Sequence, residues 1–442
     1  MVHPGRRITM IGPATMAWTP GTSVGSRIRL QQMSLSNGIR VVVHENRAAP
    51  LVVLRLGLQA SSSHDDPAMA GLASLVASGL NRGTTTRSFA EINALIDAAG
   101  MSIGASSGRH QSSVGARCLA EDLRLAVQLI ADFARNPTFP DDEFALLKGQ
   151  VLNGLRQAEN DTGSVAHRNF REHCYPEGHP YRLRPQGYLL SIEGIGAADL
   201  RSAHAATFGV NGAVVVVSGD VGPEQVTDLL EESLGSWSPA GVERGAISQP
   251  IRPAATRHDA TIEGKAQSDL VVGVPCIARS HPDFHALRLA NLIFGRLGMM
   301  GRLGESVREA KGLAYGISSD LDAGLGAGPW TIRAGVNPAN VDAALEAIRV
   351  EIDRLHRDGV TEDEFERARR FSTGSVALQL ESNDGIANTV GDIILHGLGL
   401  DYIDRYPEIV GAVTLEEVNR AARLHFPKFD DLVVSVCGPP VM

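Results

Sequence analysis

The chain has 442 residues, 43% of them hydrophobic and 21% charged, with a formal net charge of −9. That length exceeds one ordinary domain and implies two or three with sizeable cores. The acidity and the lack of a basic run argue against a nucleic-acid surface. Cys118, Cys174, Cys276 and Cys437 stand far apart, offer no C-x-x-C pair, and read as buried free thiols.

In chain order, residues 1–27 read as a flexible leader. Arg6 and Arg7 precede an apolar stretch that Gly12 and Pro13 interrupt, which makes a poor signal peptide. No apolar run reaches the roughly 18–20 residues needed to span a bilayer. The chain therefore reads as soluble, with the compartment open between cytoplasm and periplasm and the cytoplasm favoured. Asn37-Gly38 lies between apolar runs and predicts a hairpin, with strands over 39–44 and 51–58. A helix is expected from Ala70 to about Leu80. Leu123, Val127, Ile130 and Ala134 recur at helical spacing, and so do Phe144, Leu147, Leu152 and Leu155. A β-branched run, 213–218, closes this half at Gly219-Asp220.

The same parts then return in the same order. Residues 270–274 read as a strand and 285–294 as a helix. Leu345, Ile348, Ile352 and Leu355 mark an amphipathic helix, and Thr361-Glu-Asp-Glu-Phe365 opens another much as Pro140-Asp-Asp-Glu-Phe144 does 221 positions earlier. Residues 432–436 run into Gly438 as 213–218 run into Gly219. Several matches at nearly one offset argue for a duplicated α+β domain. The expected layout is a leader at 1–27, a first domain at 28–236, a proline-bearing linker at 237–260 and a second domain at 261–442. Each domain would be a mainly antiparallel sheet packed with helices.

The segment from Gly295 to Tyr315 carries glycines, Arg302-Leu303, Val307-Arg308-Glu309 and Gly312-Leu313-Ala314-Tyr315. It resembles a signature of the pitrilysin/insulinase peptidases, which include the mitochondrial processing peptidases and paired bacterial peptidases. Asn37-Gly38, Gly71-Leu72-Ala73, Gly83-Thr84, His179-Pro180-Tyr181 and Gly219-Asp220 fit the same frame from about residue 28 to 438. The resemblance implies two-domain α+β subunits that close like a clam shell around an extended peptide.

In active members of that family the frame G-L-A-H-x-x-E-H places two histidines on one helical face, with a glutamate as general base. Here the frame reads Gly71-Leu-Ala-Ser74-Leu-Val-Ala77-Ser78, with serine for both histidines and alanine for the base. The family's third ligand falls near Gly154, where no carboxylate exists. The expectation is no metal in this chain, with zinc in a partner subunit. His167, His173 and His179 lie six apart, on different helical faces, and form no substitute site.

What the resemblance leaves is a trans role. It implies that Arg308 and Tyr315 bind the substrate near its scissile carbonyl and donate to the oxyanion. The competing reading is an Arg–Glu surface pair and a core tyrosine. Gly298, Gly301 and Arg302 are the expected substrate-binding residues of the glycine-rich loop, which lacks the Lys-Ser/Thr of a phosphate cradle. The chain is thus expected to be a zinc-free subunit of a heterodimeric zinc endopeptidase, inactive alone and partnered by a homologous zinc-bearing chain. A scaffold subunit and a non-cleaving peptide-binding homodimer are the alternatives.

Overall fold

The computed structural model describes residues 22–25, 27–238, 242–243, 245–297 and 300–440. Its strands form two sheets. The first holds β1 (Thr22–Val24), β2 (Leu30–Ser34), β3 (Arg40–Glu45), β4 (Leu51–Leu58), β5 (Ser102–Ser107), β6 (Ser112–Leu119) and β7 (Val214–Gly219). Their order is β1-β2-β3-β7-β4-β6-β5. The second holds β8 (Thr256–Thr261), β9 (Ser268–Pro275), β10 (Ala314–Leu321), β11 (Pro329–Val336) and β12 (Val433–Gly438), ordered β10-β11-β9-β12-β8.

Read from its other end, the second sheet is β8-β12-β9-β11-β10, which matches β3-β7-β4-β6-β5 strand for strand. Each sheet holds one parallel pair at the same place. Arg40 of β3 lies opposite Val214 of β7, and Thr256 of β8 opposite Val433 of β12. The repeat inferred from residue spacing is therefore a repeat of topology, and the fold is α+β with two homologous halves. The expected hairpin joins β2 to β3, closed by Leu35 N donating to Ile39 O at 2.9 Å and by Gly38 at φ +89°.

Burial pattern explains the strand sequences. In β7, Val215 and Val217 enter the main core of the first half, whereas Val214 and Val216 face the opposite side. In β12, Val434 and Val436 enter the second core, while Val433 and Cys437 face away from it. Both strands are buried along their full length, so neither alternates with exposed polar residues, and the polar side chain inside β12, Ser435, is itself buried.

The cover for the outer faces is exchanged between the halves. Ile386, Ala387, Val390 and Ile393 of the helix Asn383–Leu395 pack on the first sheet with Val42, Val53 and Val216. Val165, Ala166 and Phe170 of the helix Thr162–Cys174 pack on the second sheet with Val271 and Val433.

Two expected boundaries need correction. The leader was expected to run through residue 27, but β1 pairs with β2 (Thr22 opposite Gln32) and Arg27 N donates to Asp404. Residues 1–21 lie outside the described residues. The linker was expected over 237–260, yet β8 begins at Thr256, because β12 offers it a parallel edge.

Because the exchanged helices close the sheets, damage to one half should be felt in the other. Ile393 is 2% exposed, and Ile393→Ala should cost about 2–5 kcal/mol. Denaturant unfolding followed by both near- and far-UV circular dichroism should keep a single transition. Two separated transitions, with only one shifted, would contradict the reciprocal cover.

Candidate functional site

The helix Leu72–Gly79 carries the degenerate frame. It begins at Gly71, whose φ of +97° and crowding by Gln186 O and the Gly187 Cα leave no room for a side chain. Asp65 caps the helix, accepting from Gly71 N and Ala73 N at 3.0 Å each. Burial pushes the Asp65 carboxyl up to about 7 against those two hydrogen bonds. On the helix itself Ala77 is buried and Ser74 and Ser78 are half-buried.

Gly154 lies exposed on the helix Asp141–Glu159, with open space where a side chain would project. None of these four positions offers an imidazole or a carboxylate. They do not fit the zinc that the frame implies.

In the second half, residues 304–310 form a π-helical segment, Gly304–Ala310, which ends where Gly312 adopts φ +62°. Gly312 N donates to Arg308 O and Leu313 N to Val307 O, both at 3.0 Å. This turn carries the chain directly into β10. Arg308 thus stands on the final turn of the segment and Tyr315 on the strand beyond the glycine. The Arg308 side chain is 41% exposed, with Glu309 at 3.7 Å as a loose and screened partner. Tyr315 is 62% exposed, which excludes the core tyrosine of the competing reading. Its strand, β10, is the edge of its sheet.

Gly301 and Arg302 behave differently from expectation. Gly301 is buried and packs against Gly295, where an added Cβ would lie 3.1 Å from the Gly295 Cα. A side chain at this position would also crowd Ile293 O at 3.2 Å. Arg302, expected to face substrate, is 4% exposed. Its Nε and Nη2 donate to the two Glu364 carboxylate oxygens at 2.7 Å each, and Nη2 also donates to Gly359 O at 2.7 Å. Gly298 lies outside the described residues.

The residues 40–180 match the insulinase (peptidase family M16) profile, and 194–371 match the peptidase M16 inactive domain profile. The chain belongs to the M16 peptidase family. An uncharacterised zinc protease of Streptomyces coelicolor is 25% identical over 421 residues, spanning 93% of this chain and 90% of that protein. A protein of Helicobacter pylori described as a non-peptidase homolog is 24% identical over 405 residues, 90% of this chain and 91% of its own. Among solved structures, a peptidase M16 inactive domain from Pseudomonas fluorescens superposes with a TM-score of 0.85 at 27% identity, covering 93% and 98% of the two chains.

Among the described residues, His167, His173 and His179 do not assemble a metal site at the helix. Burial first, and then the Arg171 and Arg333 guanidinium groups, push His167 down to about 3. His173 stacks on His258 with ring centroids 3.3 Å apart, and His179 Nε2 lies 3.1 Å from Ser248 O.

A cluster missed in the sequence joins His281, Asp283 and His425, whose ligand atoms lie within 4.8 Å of one another. Its donors are already engaged: Asp283 N donates to His281 Nδ1 at 3.1 Å, and Arg420 and His425 both bond the Asp283 carboxylate. Hydrogen bonding from Arg420 holds that carboxyl at about 2. The 142-residue gap between Asp283 and His425 left no local signal.

The Arg302–Glu364 pair gives a direct test of its structural role. Burial alone would raise Glu364, but hydrogen bonds from Arg302 and from Thr361 N hold its carboxyl at about 2. A folded value below the ordinary 4.5 means stabilisation that is present above that pH and lost as pH falls toward 2. Arg302→Leu should cost about 3–5 kcal/mol and flatten the acid side of the stability–pH curve. An unchanged curve would leave Arg302 free for substrate.

Proposed function

We propose that this chain is the zinc-free subunit of a heterodimeric zinc metalloendopeptidase. In this reading a homologous partner holds the metal and hydrolyses the peptide, while this chain supplies Arg308, Tyr315 and half of the chamber. The observation that carries the reading is the pairing of loss with retention. The helix Leu72–Gly79 has no metal-ligating side chain at the frame positions, yet Arg308 and Tyr315 remain exposed on either side of the αL Gly312.

A guanidinium and a phenol are the donors suited to charge building on a peptide carbonyl. The edge position of β10 supports the same role, because an edge strand can align an extended chain through its backbone. A non-cleaving peptide-binding or scaffold protein is the second reading, favoured by the description of the Helicobacter pylori relative. Among the described residues no helix is long and apolar enough to cross a membrane.

The purified chain should bind no stoichiometric zinc and cleave no peptide, and mixing with its partner should produce cleavage. One tightly held zinc per chain, measured by mass spectrometry, would defeat the proposal. Replacing Ser74, Ala77 and Ser78 by His, Glu and His should not create a peptidase, since Gly154 leaves the ligand set incomplete. Zinc-dependent cleavage by that triple variant alone would show the third ligand to be misplaced.

In the mixed heterodimer, Tyr315→Phe should lower kcat by about 10²–10³ with the partner's zinc and dimer formation unchanged. Arg308→Lys should also lose activity, because an ammonium cannot reproduce the planar fork. Near-wild-type turnover in both variants would reduce this subunit to a lid.

A further inference from the structure

A second cationic feature lies away from Arg308 and Tyr315, beneath the exchanged helix Asn383–Leu395. A part-enclosed cavity of about 230 Å³ opens there, lined by Arg279, Arg288, Asp392 and Tyr402 among its polar groups. Its apolar wall includes Val376, Ile393, Leu398 and Ile403. That size suits a body of about one amino-acid residue, being somewhat larger than the 150 Å³ of a benzene-binding cavity.

The lining holds two guanidinium groups against one carboxylate, Asp392. Arg279 lies 3.8 Å over the Phe284 ring and donates to the Tyr402 hydroxyl at 2.6 Å. Arg288 stands 5.7 Å from the Tyr406 ring centroid. Among the described residues neither guanidinium has a carboxylate in ion-pair contact. Aromatic faces orient such groups but do not neutralise them.

The one carboxylate in the lining, Asp392, has its pKa raised by burial, against the opposing pull of Arg55 and Arg279. Beside the cavity, burial and then the Arg279 and Arg288 guanidinium groups push His285 down to about 4. The His285 Nδ1 is buried without a hydrogen-bond partner. Of these groups His285 responds to the positive potential of Arg279 and Arg288, whereas Asp392 is raised by burial against the pull of its cationic neighbours.

The geometry points to this cavity as a binding site for a small organic carboxylate, with Arg279 and Arg288 taking the carboxylate and the Val376–Ile393 wall taking an apolar body. Guanidinium groups match a carboxylate in planar, charge-assisted hydrogen bonds. Bare phosphate would leave the apolar wall unused. Two sources share this chemistry, the free C-terminal residue of a peptide and a short free acid. The inference stands apart from the trans role of Arg308 and Tyr315 and requires neither zinc nor a partner chain.

Isothermal titration of the purified chain tests it with N-acetyl-leucine, 4-methylpentanoate, the tripeptide Ala-Ala-Leu, the amides of the first and third, and inorganic phosphate. Saturable binding of the acids, with the amides weaker by about 10- to 100-fold, is expected. Binding of the tripeptide assigns the site to peptide ends. Binding of 4-methylpentanoate alone assigns it to free acids.

Arg288→Gln should reduce acid affinity by a similar factor at an unchanged melting temperature, and Arg288→Lys should restore part of it. Amides that bind as well as acids, phosphate that binds as tightly, or no saturable heat with any acid would each overturn the assignment. The acid–amide comparison uses the unaltered protein and so stands even if a variant fails to fold.

Discussion

Everything in this molecule depends on two strands, β7 and β12, that are apolar on both faces. A strand buried on one side can leave its other side to water, but Val214 and Val216, or Val433 and Cys437, cannot be left so without losing a large part of the apolar burial that offsets chain entropy. The helices of each half's own core occupy one face only. The second face is covered by a helix from the other half. The duplication therefore produced two repeats that finish each other, rather than two independent domains on a string.

That interlock bears on the functional surface. Structural work is concentrated in buried groups such as Arg302 with Glu364, and Gly295 against Gly301, which hold the π-helical segment in place. The groups at its end, Arg308 and Tyr315, are left exposed. In the first half, the helix of the degenerate metal frame keeps its glycine start and its Asp65 cap while carrying no ligand. That start needs no metal, because Gly71 and Asp65 serve the backbone.

Residue spacing went far with this fold. The offset of about 220 positions anticipated the matching strand orders, and Thr361 with Glu364 was legible as a helix start because a capping box is a local signal. The exchange of covering helices was not legible: Ile386, Ala387, Val390 and Ile393 announce an apolar face but not which sheet receives it. Arg302 misled for a related reason. Its place in the glycine-rich loop suggested substrate binding, whereas its partner Glu364 sits 62 residues away on another helix. Long-range pairing leaves no periodicity. The frame residues Ser74, Ala77 and Ser78 were the reverse case, since absence of ligand chemistry is a property of residue type alone.

The exchange also sets an order of events on the ribosome. The first sheet can assemble once β7 has emerged at Gly219, but the helix that shields its second face ends at Leu395, about 175 residues later. At bacterial or eukaryotic elongation rates that interval lasts roughly 10–35 s. Throughout it, Val42, Val53, Val214 and Val216 form a bare β-branched surface on a nascent chain. Until the helix arrives, that surface is exposed to aggregation with neighbouring nascent chains.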